Sequence, residues 1–269
     1  MASQAPSNLP LLYRGLEPIQ RQVHGGKNFR RIEKLEGLST THAIPLTVDE
    51  FALAQRYYPI IFSSGENPVP LALMGLHEGT NTFFDADENL VEANAYIPAY
   101  IRRYPFLLAR LTEGSDQLSL CVDPTAGAII DGGKKAEGDP VFVGEEPSPQ
   151  VADILSFCEQ FEQAGHRTSA FMEELQALGL LMEGEVAIQP DGQEQPFIYR
   201  GFQMVDEEKF RELSGDKLRK MNQSGMLGVI MAHLFSLSLV RDIFYRQVVQ
   251  GTGPVLNPGA PAEPATAEA

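Results

Sequence analysis

A chain of 269 residues with 43% hydrophobic residues can bury the core of one large domain or of two closely joined lobes. Its 36 acidic and 21 basic residues give a formal net charge of -15, which argues against nucleic acid and membrane surfaces as partners because both are anionic. The chain has two cysteines, no C-x-x-C pair and no basic N-terminal region followed by an apolar one. We therefore expect a cytoplasmic protein without a disulfide framework.

The N-terminal half predicts short strands joined by turns. After a polar start, KNFRRIEKL is the first candidate strand, and Thr47 is a helix N-cap with Asp49 and Glu50 in the first turn. The runs PIIFS, VPLALMGL and TNTFF are separated by Gly, Asn and Pro turn residues, which predicts an antiparallel meander. A short helix is expected in AYIPAYIRRYP, and FLLARL and LSLCVD form a hairpin.

The composition changes near Ser148. Residues from Pro124 to Pro147 have the Gly, Pro and charge content of a loop. Ser148-Pro149 then begins an amphipathic helix or helix pair that ends near Gly179, with Gly165 as a candidate break.

The remaining chain predicts one more hairpin and further helices. EVAIQ and PFIYRGFQMV pair across the turn PDG, two short capped helices follow, and an apolar helix runs from about Ser224 to about Val249. The end of the chain is rich in Pro, Ala and Gly and lacks the apolar residues needed to pack.

Together these patterns predict an α+β fold, with an antiparallel β-rich N-terminal half that carries short helices and a mostly helical C-terminal half with a small β-hairpin. We expect a flexible N-terminus over residues 1–12, one domain over 13–249 and a disordered tail over 250–269. Within the domain, the β-rich lobe covers about 13–145 and the helical lobe about 146–249.

An apolar stretch from Gly225 to Val240 resembles a membrane span in composition. It is about 16 residues long, which is fewer than the roughly 20 that cross a bilayer, and His233 lies in its middle. A buried core helix is therefore predicted. We expect His233 to be a neutral, hydrogen-bonded imidazole, with a functional role as the alternative.

Known local motifs for metal, nucleotide or nucleophile chemistry fail in this chain. Asp85, Asp87 and Asn89 match the opening of a calcium loop, but Leu90 and Tyr96 stand where Gly and Glu are required. GAIIDGGKK lacks the spacing of a phosphate-binding loop, no G-x-S-x-G is present, and the five histidines show no metal-binding spacing. We predict no cofactor and no locally encoded metal site.

Two adjacent arginines stand out in YIPAYIRRYPFLLA. Neighbouring residues on a helix point about 100° apart, so we expect one of Arg102 and Arg103 to be buried beside a carboxylate and the other to be exposed. The alternative is a binding site for a carboxylate or phosphate beside Tyr96, Tyr100 and Tyr104.

Several motifs resemble the SapC family of bacterial proteins. RYYPIIF, PLALMGLHEGTNTFF and YIPAYIRRYPFLLA follow each other in the order and spacing of that family, and GFQMVDEEKFRELSGDKL with GMLGVIMAHLFSL resembles its closing segment. LEPIQRQVH resembles its opening, with His24 at a recurrent histidine position. The resemblance covers roughly residues 13–246.

The resemblance implies a soluble accessory protein that binds a ligand or partner and serves a bacterial surface layer or a nutrient-uptake system. The alternative is an enzyme that modifies an amino acid, peptide or carbohydrate with a site assembled from dispersed residues. No catalytic residues follow from the resemblance, and the partner is an unspecified small molecule or protein. The candidate ligand-binding residues are Arg102, Arg103, Tyr100, His24 and His233.

Overall fold

The structure is a computed structural model that describes residues 9–111, 117–133, 137–190, 195–253 and 265–266. The strands are β1 Glu17–Pro18, β2 Lys27–Phe29, β3 Ala43–Pro45, β4 Ile60–Phe62, β5 Pro70–Leu73, β6 Phe106–Arg110, β7 Leu118–Val122, β8 Ile129–Asp131, β9 Asp139–Pro140, β10 Phe142–Val143, β11 Glu146–Pro147, β12 Leu181–Ile188, β13 Phe197–Val205 and β14 Ala265–Thr266. The α-helices are α1 Arg21–His24, α2 Phe51–Ala54, α3 Ala99–Arg102, α4 Pro149–Ala177, α5 Glu207–Arg211, α6 Gly215–Ser224, α7 Met226–Ser236 and α8 Val240–Gln250. This mixture of antiparallel sheets and helices, with a helical C-terminal region, confirms the predicted α+β class.

The chain divides into two compact units, and neither unit is one continuous stretch. Unit 1 consists of Met1–Gly37 and Ile101–Gln163, and unit 2 of Leu38–Tyr100 and Ala164–Ala269. The domain limits expected from the sequence stay a prediction, since residues 1–8 and most of the tail lie outside the described residues.

Unit 1 contains two small three-stranded sheets, with strand orders β1-β7-β6 and β8-β2-β9. The predicted hairpin is confirmed, with Phe106 opposite Val122 in β6 and β7. The loop predicted before Ser148 instead contains β8 to β11, which are strands of two or three residues and too short to show an alternating pattern. The core cluster consists of Phe29, Phe106, Val122, Ala128, Val141, Val151 and Cys158.

Unit 2 is built on one sheet with the order β12-β13-β4-β5-β3, and β14 pairs in parallel with β13. The hairpin of β12 and β13 is as predicted, although part of its turn lies outside the described residues. The expected strand in TNTFF does not form. The side chain of Asn81 donates to the carbonyls of Leu38 and Thr41 and accepts from the amides of Phe83 and Phe84, which fixes a loop there.

The predicted helix start at Thr47 is confirmed as a capping box. The Glu50 carboxylate accepts from the Thr47 amide and hydroxyl, both at 2.9 Å. Its other oxygen accepts from the Tyr96 hydroxyl at 3.0 Å and from the Ala99 amide at 2.6 Å. Glu50 is buried, and its bonds join the start of this helix to the segment that leads into α3.

Two long helices have the extent that the sequence predicts. The helix α4 runs for 29 residues without a break at Gly165. The helices α7 and α8, joined by a 3-10 turn over Leu237–Leu239, form one 25-residue helix from Met226 to Gln250. By length and composition this is the one helix in the described chain that could cross a membrane, and 39% of its apolar window is buried.

The long helix is bonded to the sheet of unit 2 through buried polar side chains. Val205 of β13 donates its amide to His233 Nε2 at 3.1 Å, and His233 Nδ1 donates to the Ile60 carbonyl of β4 at 2.8 Å. The imidazole also stacks on the Phe62 ring at a centroid distance of 4.5 Å. The Ser236 hydroxyl accepts from the Ile60 amide at 2.8 Å. His233 is therefore a core histidine with both ring nitrogens bonded, as predicted.

Burial lowers the pKa of His233 from 6.5 to about 4, and the bond to Ile60 offsets this only in part. The unfolded chain therefore binds a proton between these two pH values while the folded chain does not. The stabilising contribution is present above pH 6.5 and is lost as the pH falls towards 4.

The free energy of unfolding of the wild type falls between pH 7 and pH 4 as His233 becomes protonated in the unfolded chain. We predict that this fall is smaller in His233→Gln by roughly 3 kcal/mol, the equivalent of the pKa shift. Urea melts at both pH values measure it. At pH 7 the variant is less stable than the wild type because at least one bond is lost. The exposed His166→Gln variant is the control and keeps the wild-type pH dependence. An unchanged pH dependence in His233→Gln would contradict the assignment.

Candidate functional site

Arg103 is the buried member of the arginine pair. Its side chain is 8% exposed, and Nη1 lies 3.7 Å from Oε1 of Glu162 on α4. The guanidinium lies over the Phe161 ring at 4.3 Å and over the Tyr13 ring at 5.8 Å. The expected burial beside a carboxylate is confirmed. The aromatic contacts indicate that packing and cation–π attraction hold this side chain as much as the ion pair does.

Arg102 is exposed, and its guanidinium lies 5.2 Å from the centre of the Phe157 ring. The two arginines therefore differ in burial as the helical geometry predicted. One is part of the packing of unit 1, whereas the other covers an aromatic ring at its surface.

The other sequence-predicted residues have separate surroundings. His24 is buried in α1, with Nδ1 3.1 Å from the Gln20 amide and Nε2 3.5 Å from Glu17 Oε1. Tyr100 is buried and belongs, like His233, to unit 2. In unit 1, His24 and Arg103 contact different side chains. A ligand-binding role for these five residues stays a prediction.

The residue after Arg103, Tyr104, lines a cavity of about 100 Å³ in unit 1. The cavity is formed by three further segments and mixes apolar walls with charged groups. Its other lining residues are Leu12, Arg14, Ile32, Lys34, Glu36, Thr125 and Ala126. Sequence reasoning singled out only Tyr104 of this set, because the others are scattered single residues in segments that resemble solvated loops.

Asp123, directly after β7, forms hydrogen bonds to three residues that line the cavity, Arg14, Tyr104 and Thr125. Its side chain is fully buried, and it accepts from the Arg14 amide at 2.6 Å and from the Thr125 amide and hydroxyl at 2.9 and 2.8 Å. The Tyr104 side chain is a fourth hydrogen-bond partner. Because a buried carboxylate requires such donors, Asp123 fixes the positions of three segments around the cavity.

The pKa of Tyr104 is raised to about 12, mainly by burial and in part by the negative charge of Asp123. Tyr104 is thus a neutral phenol near pH 7 whose hydroxyl donates a hydrogen bond to the Asp123 carboxylate. A phenol in this state does not act as a base or a nucleophile.

The rim of the cavity carries charges of both signs. Arg14 Nη1 lies 2.7 Å from Glu36 Oε2, and both side chains are exposed. Lys34 is exposed and forms no ion pair among the described residues. Leu12 has a φ of 71°, a left-handed conformation that is uncommon for a bulky residue. The arrangement can bind a small charged group.

The cysteines and the aspartates of the partial calcium motif have structural surroundings in the described part of the chain. Burial raises the pKa of the Cys121 thiol to about 11 and that of Cys158 to about 12, so both are protonated at neutral pH. Among the described residues no group of three His, Cys, Asp or Glu side chains is placed to hold a metal ion. Asp85 accepts from the amides of Asp87 and Asn89 at 2.9 Å, as in an Asx turn.

We predict that Arg103→Ala lowers the free energy of unfolding by roughly 2–3 kcal/mol, because two aromatic contacts and a largely buried ion pair are lost. Arg102→Ala is the matched control and costs less than about 1 kcal/mol. Arg103→Lys recovers only part of the loss, since lysine lacks the planar guanidinium. Urea melts measure all three. Equal effects at both positions would rule out the assigned difference.

We predict that Asp123→Asn lowers the free energy of unfolding by about 2–4 kcal/mol, because the amide nitrogen faces donors that need an acceptor. The variant should also lower the pKa of Tyr104, which is measured from the tyrosinate absorbance at alkaline pH. Asp153→Asn, an exposed substitution on α4, is the control for both measurements. A Tyr104 titration unchanged by Asp123→Asn would contradict the proposed bond.

Comparison with known proteins supports the resemblance seen in the motifs. The model of the SapC family matches residues 19–243, which is well over half of the 269 residues. Comparisons with curated proteins and with solved structures gave no match. The family match includes α1, the arginine pair, Asp123 and most of the long C-terminal helix. The chain belongs to the SapC family.

Proposed function

We propose that this protein is a soluble, cytoplasmic accessory protein that binds a small ligand in unit 1 and does not catalyse a reaction on it. The observation that carries the proposal is the cavity in unit 1. Tyr104, which is bonded to Asp123, lines it, and the charged residues Arg14, Lys34 and Glu36 lie at its rim. Membership in the SapC family supports a role beside a bacterial surface layer or nutrient-uptake system.

Binding is favoured over catalysis because the polar groups behind the cavity are already used in structural bonds. Asp123 accepts four hydrogen bonds, the Thr125 hydroxyl donates to it, and Tyr104 stays protonated near neutral pH. A general base needs a free lone pair and a pKa near the working pH. The groups around this cavity can position a ligand, but they are poorly suited to take a proton from it.

The rim favours a small ligand that carries a carboxylate. Lys34 supplies positive charge. Arg14 and Glu36 pair with each other, but both side chains are exposed, so the pair can also contact a carboxylate and an ammonium group of the same ligand. The cavity has roughly two thirds of the volume of a known protein cavity that holds benzene, so the bound group is compact. We infer a free amino acid or the end of a short peptide.

Solubility is supported by the bonds of the long helix. His233, Ser236 and Gln247 are buried polar residues in it, and each is bonded to another part of unit 2. A membrane-spanning position would break these bonds and leave polar groups in lipid. The net charge of -15 also favours a water-soluble chain.

We predict that isothermal titration calorimetry detects binding of glycine or glycylglycine, and that Lys34→Ala weakens it at least about 10-fold by removing a charge partner of the carboxylate. Lys27→Ala removes a half-buried lysine of β2 in the same unit that pairs with Asp131; it is the control and keeps the affinity. Acetate and inorganic phosphate separate recognition of a carboxylate from general attraction of anions. No binding of any probe, or equal binding by both lysine variants, would refute the proposed site.

A further inference from the structure

The long C-terminal helix has an exposed face opposite the face that packs on the sheet, as far as the described residues show. Positions on this face recur every three or four residues, and two of its apolar side chains are strongly exposed, with Phe235 at 64% and Val249 at 86%. From Met226 to Val240 the helix contains no Asp, Glu, Lys or Arg. We name this face the outer stripe, which consists of Gly228, Met231, Phe235, Ser238, Asp242, Tyr245 and Val249.

The C-terminal half of the outer stripe borders an open cavity of about 450 Å³ in unit 2. Arg246 beside it forms an ion pair with Glu92 and lies over the Phe83 ring at 4.6 Å, so its charge is already partnered. Exposed Val91 and Val249 supply apolar surface at the edge. The full lining is Thr82, Val91, Asp242, Tyr245, Arg246, Val249 and Gln250.

The stripe thus presents a projecting aromatic side chain and a cavity on the same helix face. Phe235 and Tyr245 lie at equal distances on either side of Val240, about 15 Å apart along the axis at the usual helical rise. Val240 itself is buried, so the relevant two-fold axis passes through the outer stripe at the height of Val240. Two such helices that cross antiparallel about this axis would place each Phe235 beside the other copy's Tyr245. A surface with this property is complementary to itself.

We propose that the outer stripe binds a second copy of this chain, with Phe235 of each copy in the other copy's cavity. The interface is isologous, so one set of residues supplies both contacts. An exposed aromatic residue that fills a pocket is the usual anchor of a protein–protein interface. This dimer is independent of ligand binding in unit 1.

Charge supports a second copy as the occupant. Two chains that each carry a net charge of -15 repel one another, and this repulsion is smallest where the facing surfaces carry few charges. The outer stripe has Asp242 as its one acidic residue, and in the antiparallel register Asp242 faces Ser238 of the other copy rather than a second carboxylate. Anionic lipid would meet the same repulsion without a matching cavity.

Sedimentation equilibrium of the full chain, over a roughly hundredfold range of concentration, tests the proposal. The wild type is expected to form a monomer–dimer equilibrium. Phe235→Lys and Val249→Asp should each raise the dimer dissociation constant at least about 30-fold, as for loss of a central anchor. Val69→Asp, at another exposed valine of unit 2, is the control and leaves the constant unchanged.

Mixing the two disruptive variants distinguishes the interface from misfolding. A mixed dimer keeps one Phe235 in one unaltered cavity, and it places the new lysine beside the new aspartate in the other contact. The mixture should therefore dimerise at concentrations where each variant alone is monomeric. Circular dichroism checks that both variants are folded.

Three results would overturn the proposal. One is a wild type that stays monomeric over the whole range, and another is a mixture that dimerises no better than its components. The third is co-sedimentation of the wild type, but not of Phe235→Lys, with phosphatidylglycerol vesicles, which would assign the stripe to a lipid surface.

Discussion

A buried carboxylate with no cationic side chain among its bonded partners holds the candidate site together. Asp123 accepts its hydrogen bonds from Arg14, Tyr104 and Thr125, which lie on three separate segments of unit 1. A buried carboxylate without hydrogen-bond donors is strongly destabilising. The need to supply donors to Asp123 therefore brings these three segments together. The three residues that bond to Asp123 also line the cavity.

Buried polar side chains that need hydrogen-bond partners also connect separate segments in unit 2. Glu50 joins the start of α2 to the start of α3 through four donors, and His233 joins β4, β13 and the long helix through both ring nitrogens. Gln247 accepts from the Leu76 amide at 2.7 Å and so fixes the loop after β5. In each case one buried polar side chain connects segments that are far apart in the sequence. Apolar surfaces alone could pack in several ways, and the polar bonds select one of these arrangements.

The sequence predicted those helices and strands that are determined by interactions between residues close together in the chain. The hairpins of β6–β7 and β12–β13, the start of α4 and the cap at Thr47 all follow from alternation or from capping residues within a few positions. The division of Arg102 and Arg103 followed from the angle between adjacent residues on a helix. By contrast, β8 to β11 are too short to carry a period.

Most residues of the candidate site could not be predicted from the sequence, for a different reason. Lys34 and Glu36 lie in a charged segment that any solvated loop could contain, and nothing near Asp123 in the sequence marks it as buried. Its burial results from long-range pairing, since the Arg14 amide that it accepts from is 109 positions away. Tyr104 was noticed only because it follows the arginine pair. Sites assembled in this way need the tertiary structure before their residues can be recognised together.

The distribution of charge then limits what the cavity in unit 1 can bind. In a chain with 36 acidic residues, Arg14 and Lys34 make the rim a local exception to the negative field. A polyanion would meet that field over many contacts, whereas a compact carboxylate reaches the two cations and meets only Glu36 nearby. Because Glu36 repels a simple anion but attracts an ammonium group, the same rim favours a zwitterion over either ion alone. Size and charge together are therefore the grounds on which we propose a small amino-acid-like ligand.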